Sequence, residues 1–67
     1  MVKPQKKRRV VKFLLQNNWH LARDRAGHEI WISENGKDRI ALPHSTTISP
    51  GIIRQLNTKI KIPATWL

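Results

Sequence analysis

Cysteine is absent from the 67 residues, and so is tyrosine. Without thiols there is no disulfide and no thiolate metal site, so the fold must rest on burial and hydrogen bonding, which suits a reducing cytoplasm. Acid is scarce as well: four Asp and Glu stand against thirteen Lys and Arg, a formal net charge of +9. Self-repulsion of that size is relieved by a polyanion, which points to nucleic acid ahead of an anionic membrane. Long hydrophobic runs are missing too. Nothing approaches the roughly 18 apolar residues of a membrane span, and Met1-Val2-Lys3-Pro4 leads into charge, not into a secretion signal. The expectation is a soluble cytoplasmic protein without membrane association. A chain this short holds one domain, residues 1–67, with one small core and no separate cofactor-binding module, so no cofactor is expected.

What is present begins with residues 1–4, which are expected to fray, and then the basic run Gln5-Lys6-Lys7-Arg8-Arg9. Val10, Val11, Leu14 and Leu15 follow at helical spacing with Phe13 beside them, which predicts a helix over about residues 5–17. Cations in its first turn oppose the helix dipole, a choice that a phosphate ligand would explain. Asn17-Asn18 ends the helix, since asparagine tolerates the left-handed conformation of a C-terminal cap.

From Trp19 the period becomes two, with Trp19 and Leu21 on one side and His20, Ala22 and Asp24 on the other. Gly27 marks a turn. The second strand, about residues 28–33, is expected to set His28, Ile30 and Ile32 on the core face and Glu29, Trp31 and Ser33 on the open face. Asn35-Gly36 predicts a type I′ hairpin into a third strand, residues 39–43. Ser49 as N-cap, Pro50 at the first helical position and an Ile48–Ile53 staple predict a second helix ending near Asn57. The tail, residues 58–67, alternates lysine with isoleucine and fits either an edge strand or an arm that packs Trp66 and Leu67 on the core.

The fold expected is therefore α+β, in the order α-β-β-β-α with a three-stranded antiparallel sheet and both helices on one face. That order resembles the double-stranded RNA-binding domain, which makes RNA the favoured polyanion. Three histidines at no ligand-pair spacing, with no cysteine, give no reason to expect a metal.

The residues also resemble a family. Asn17-Asn18-Trp19, Arg23, His28-Glu29-Ile30-Trp31, Asn35-Gly36, Pro43-His44 and Gly51-Ile52-Ile53-Arg54-Gln55-Leu56 follow, in order and spacing, the pattern of the HicA toxins. These are small messenger-RNA-cleaving endoribonucleases of bacterial toxin–antitoxin pairs. Ala26-Gly27 stands where that pattern has Gly-Ser. The resemblance covers roughly residues 8–57 and implies that His28 is the catalytic residue, that the chain cleaves mRNA without metal, and that a HicB-like antitoxin is its partner. Metal-free RNA cleavage needs one proton taken from a 2′-hydroxyl and one delivered to the leaving oxygen, and an imidazole can do both near neutral pH. Candidate RNA-binding residues are Lys6, Lys7, Arg8 and Arg9, then Arg23 and Arg25 as phosphate holders, Trp31 as a base-stacking side chain, and His44. His20 matches no position of the pattern. Read from the residues alone, a histidine at a strand start also fits a structural hydrogen bond, and the chain also fits a non-catalytic RNA-binding module.

Overall fold

A computed structural model describes residues 2–67. It contains two α-helices, α1 (Lys7–Gln16) and α2 (Pro50–Asn57), a short 3-10 helix at Ala64–Trp66, and five strands, β1 (Gln5–Lys6), β2 (His20–Arg25), β3 (His28–Ile32), β4 (Arg39–Pro43) and β5 (Thr47–Ile48). The three longer strands form an antiparallel sheet in the order β2-β3-β4, as expected. Val10 and Leu14 of α1, Ile53 and Leu56 of α2, and Trp31, Ile40 and Leu42 of the sheet share one buried cluster. Both helices therefore cover the same face of the sheet, and the fold is α+β. No helix among the described residues is long and apolar enough to cross a membrane.

Helix α1 starts two residues later than expected. Gln5 and Lys6 are extended and pair with Ile48 and Thr47, an antiparallel ladder too short to announce itself in either stretch. The helix ends as the asparagines suggest: Asn18 takes φ 65°, the Trp19 N–H donates to the Leu14 carbonyl at 2.9 Å, and the Asn18 N–H donates to Leu15 at 3.1 Å. This is the paired bonding of a left-handed helix cap. It turns the chain so that Trp19 enters the core, 4% exposed.

Two expectations about the sheet are overturned. In β2 the register shifts between Leu21 and Arg23, so the bulge at Ala22 puts Leu21 and Asp24 on the same side, where simple alternation separates them. In β3 the faces are the reverse of those expected. Trp31 is 5% exposed and sits in the core opposite Ile40, whereas Ile30 pairs with Ala41 on the uncovered face and is only half-buried. Glu29 lies on the covered face with Trp31, and a carboxylate there was the misleading signal. It is tolerated because the Lys7 ammonium reaches it from α1 at 2.7 Å and the Trp31 indole N–H donates to its other oxygen at 3.0 Å.

The turns also exchange roles. Ala26 (φ 52°) and Gly27 (φ 80°) form the two-residue loop between Arg25 and His28, both with the positive φ of a type I′ turn. At Asn35-Gly36 only Gly36 has positive φ, so the expected type I′ turn is absent and residues 33–38 form a longer loop. Asn35 closes it by its side chain, whose Oδ1 accepts from Ser33 Oγ at 2.8 Å and from the Lys37 N–H at 3.0 Å.

The second helix begins at Pro50 with Ser49 as N-cap and ends at Asn57, as predicted; Ile48 and Ile53 are wholly buried in the shared core. The tail is the packed arm, not the strand. Ile62 and Trp66 are buried, Trp66 meets Phe13 edge-on at a ring separation of 5.1 Å, and its carbonyl accepts from the Lys3 N–H at 2.8 Å. Leu67 stays half exposed. The Lys3 bond ties part of the segment expected to fray.

Candidate functional site

Because side chains directly opposite in an antiparallel pair point the same way, the register assigns every sheet residue to a face. The uncovered face consists of three rows across the strands. His20, Ile32 and Arg39 form one; Arg23, Ile30 and Ala41 the next; Arg25, His28 and Pro43 the third, beside the Ala26-Gly27 turn. His28 is exposed, and its Nδ1 lies 3.3 Å from the Ala26 carbonyl. A carbonyl only accepts, so in the neutral ring Nδ1 carries the proton and Nε2 is left as an open base. Arg25 stands directly across from it and Arg23 one row further on. None of these arginines has a carboxylate partner among the described residues.

The covered side carries a different group. Lys6, Lys7 and Arg8 at the start of α1, with Lys12, Leu15, Leu21, Glu29, Trp31, His44 and Ser45, line an open groove of about 930 Å³. Beside it the His44 Nε2–H donates to Asp24 Oδ1 at 2.7 Å, while His44 Nδ1 stands 4.0 Å from Glu29 Oε2. The Lys7 hydrogen bond holds the Glu29 carboxyl below its ordinary value of 4.5; burial pulls the other way, and the Trp31 N–H and the charges of Lys7 and His44 add to the lowering. Asp24, Glu29 and His44 offer three donor atoms within 4.8 Å of one another, a grouping the sequence spacing does not reveal. Both carboxylates already have a positive or donating partner from the protein itself.

The structure thus divides the candidate residues. His28, Arg23 and Arg25 come together on the uncovered face. Lys6, Lys7, Arg8 and His44 come together in the groove, with Lys7 committed to Glu29. Arg9 belongs to neither and lies beside Phe13, Pro63 and Trp66. Trp31 is not a stacking surface: its ring is in the core and its N–H is taken by Glu29. His44 and Asp24 are partners that sequence reasoning missed, being 20 residues apart and brought to one side by the bulge at Ala22. Comparison with protein-family models, with curated proteins and with solved structures finds no match to this chain.

Proposed function

We propose that this chain is a HicA-type toxin: a cytoplasmic, metal-independent endoribonuclease that cleaves mRNA on a fold like the double-stranded RNA-binding domain and is neutralised by a HicB-like antitoxin. The observation that carries the reading is His28 with an unobstructed imidazole on a face that holds Arg25 and Arg23 and no carboxylate. Nε2 takes the proton of a ribose 2′-hydroxyl, the 2′-oxygen attacks phosphorus, and the bond from phosphorus to the 5′-oxygen breaks. The products are a 2′,3′-cyclic phosphate and a 5′-hydroxyl, which receives its proton from the imidazolium or from water. Arg25 and Arg23 offset the charge gathered on the phosphorane oxygens. With a single histidine at the reacting phosphate and no second general acid beside it among the described residues, the rate is modest.

The groove supports the partner half of this reading. Leu15 and Leu21, two large apolar side chains left exposed at 56% and 44%, lie in it beside Lys6, Arg8 and Lys12, a surface suited to an acidic amphipathic segment. The test of the activity is incubation of the purified chain with end-labelled mRNA in the presence of a chelator. Fragments ending in 2′,3′-cyclic phosphate are expected. Intact RNA that is nevertheless retained by the protein would replace the enzyme with a non-catalytic RNA-binding module.

A further inference from the structure

The uncovered face of the sheet has a charge distribution that the candidate residues above do not exhaust. Of the four acidic residues, Asp24 and Glu29 point to the opposite side, and Glu34 and Asp38 lie in the loop after β3. The face itself carries Arg23, Arg25, Arg39, His20 and His28, around a centre of Ile30 and Ile32, which are half-buried and stand outside the core that the helices share. Arg39 and His20 flank Ile32 in the row farthest from His28. Alternate residues on a strand are about 7 Å apart, so that row lies about 14 Å from the His28 row.

We infer that this face is a platform for single-stranded RNA, running from His28 and Arg25 at one end to Arg39 and His20 at the other. The arginines lie on the two edge strands and take phosphates; Ile30 and Ile32 lie on the central and offer apolar contact to bases. A duplex presents phosphates and 2′-hydroxyls outward and keeps its bases stacked inside, so it leaves the two isoleucines without a partner. An unpaired strand satisfies both the edge cations and the apolar centre, as other open-sheet RNA modules do with aromatic rings. Arg39 and His20 then hold nucleotides to one side of the scissile one, beyond the row of Arg23. The direction of the track rests on the His28 reading; the platform itself does not.

The test uses a 2′-O-methyl RNA oligonucleotide, which cannot be cleaved, so that binding is read apart from activity. Fluorescence anisotropy is measured for the full chain and for Arg39→Ala, with Lys61→Ala as the charge-matched control on the exposed tail. Arg39→Ala is expected to weaken binding by roughly tenfold and to lower the salt slope by about 0.7, the value of one phosphate contact on a single strand. Arg39→Lys should recover part of the loss, and a duplex of the same length should bind more weakly and respond to Arg39→Ala no more than to Lys61→Ala. Equal behaviour of Arg39→Ala and Lys61→Ala on the single strand would overturn the platform. So would a duplex preferred over the single strand, or a change in sedimentation of Arg39→Ala that shows the face to be covered by a second copy. Cleavage of unmodified RNA is scored separately: its absence removes the His28 reading and leaves the platform standing.

Discussion

Trp31 separates the two possible faces of β3 most sharply, because an outward ring would serve RNA and an inward ring serves the core. Its 5% exposure and its place among Leu42, Ile40 and the helix residues make it a core member. Truncating a buried tryptophan costs about 3–5 kcal/mol. A 67-residue domain has in total about 3–10 kcal/mol of stability, at 0.05–0.15 kcal/mol per residue. Trp31→Ala should therefore remove from about a third to all of that stability at 25 °C. Trp31→Phe keeps most of the apolar burial but removes the N–H given to Glu29 at 3.0 Å. That loss should cost about 1–2 kcal/mol, since the carboxylate keeps its Lys7 partner. Urea denaturation followed by far-ultraviolet circular dichroism measures both, independently of the two remaining tryptophans. A Trp31→Ala variant within about 0.5 kcal/mol of the parent, the range of ordinary surface changes, would refute the placement of the ring.

Two further outcomes follow from the turn and from the part-buried ion pair of Lys7 and Glu29. Ala26 holds φ 52° in a turn that needs the left-handed region, so Ala26→Gly relieves strain and should raise stability by about 1 kcal/mol, visible as a higher midpoint in thermal denaturation. Glu29 titrates below 4.5 in the folded chain, so it binds fewer protons there than when unfolded between the two values. Its stabilisation is present above pH 4.5 and is lost as pH falls through the folded value. Glu29→Gln should accordingly be about 1–2 kcal/mol less stable than the parent at pH 7, with the two curves converging in acid; a gap that persists to low pH would remove the Lys7 pair as its cause.

Local chemistry was legible in the sequence and long-range pairing was not. The helix stop at Asn17-Asn18 and the start at Ser49-Pro50 depend on neighbours within a turn, and both lie where they were read, although the Ser49 side chain makes no capping bond. The three strands were found because alternation and turn residues are also local. Their faces were not, for two reasons. The bulge at Ala22 inserts one residue and inverts the alternation that follows it. Glu29 sits part-buried on the covered face because Lys7, 22 residues earlier, neutralises it, and no window along β3 contains that lysine. The same limit hid the β1–β5 ladder, which joins Gln5 to Ile48, and the choice between strand and arm for the tail, which Phe13 decides by receiving Trp66. For the candidate site, His28, Arg23 and Arg25 do share a face. The groove with His44 and Asp24 required the folded chain to appear.

The proposed activity rests on one imidazole, and its removal is the most direct measurement. His28 is exposed and its one side-chain hydrogen bond among the described residues is the 3.3 Å contact with Ala26, so His28→Ala should fold and melt as the parent does. Initial rates of mRNA cleavage by parent and variant, measured in chelator, should then differ by about 10²–10⁴-fold, the usual contribution of a positioned acid–base group, while RNA affinity is retained. A folded His28→Ala variant that cleaves at the parental rate would contradict the account.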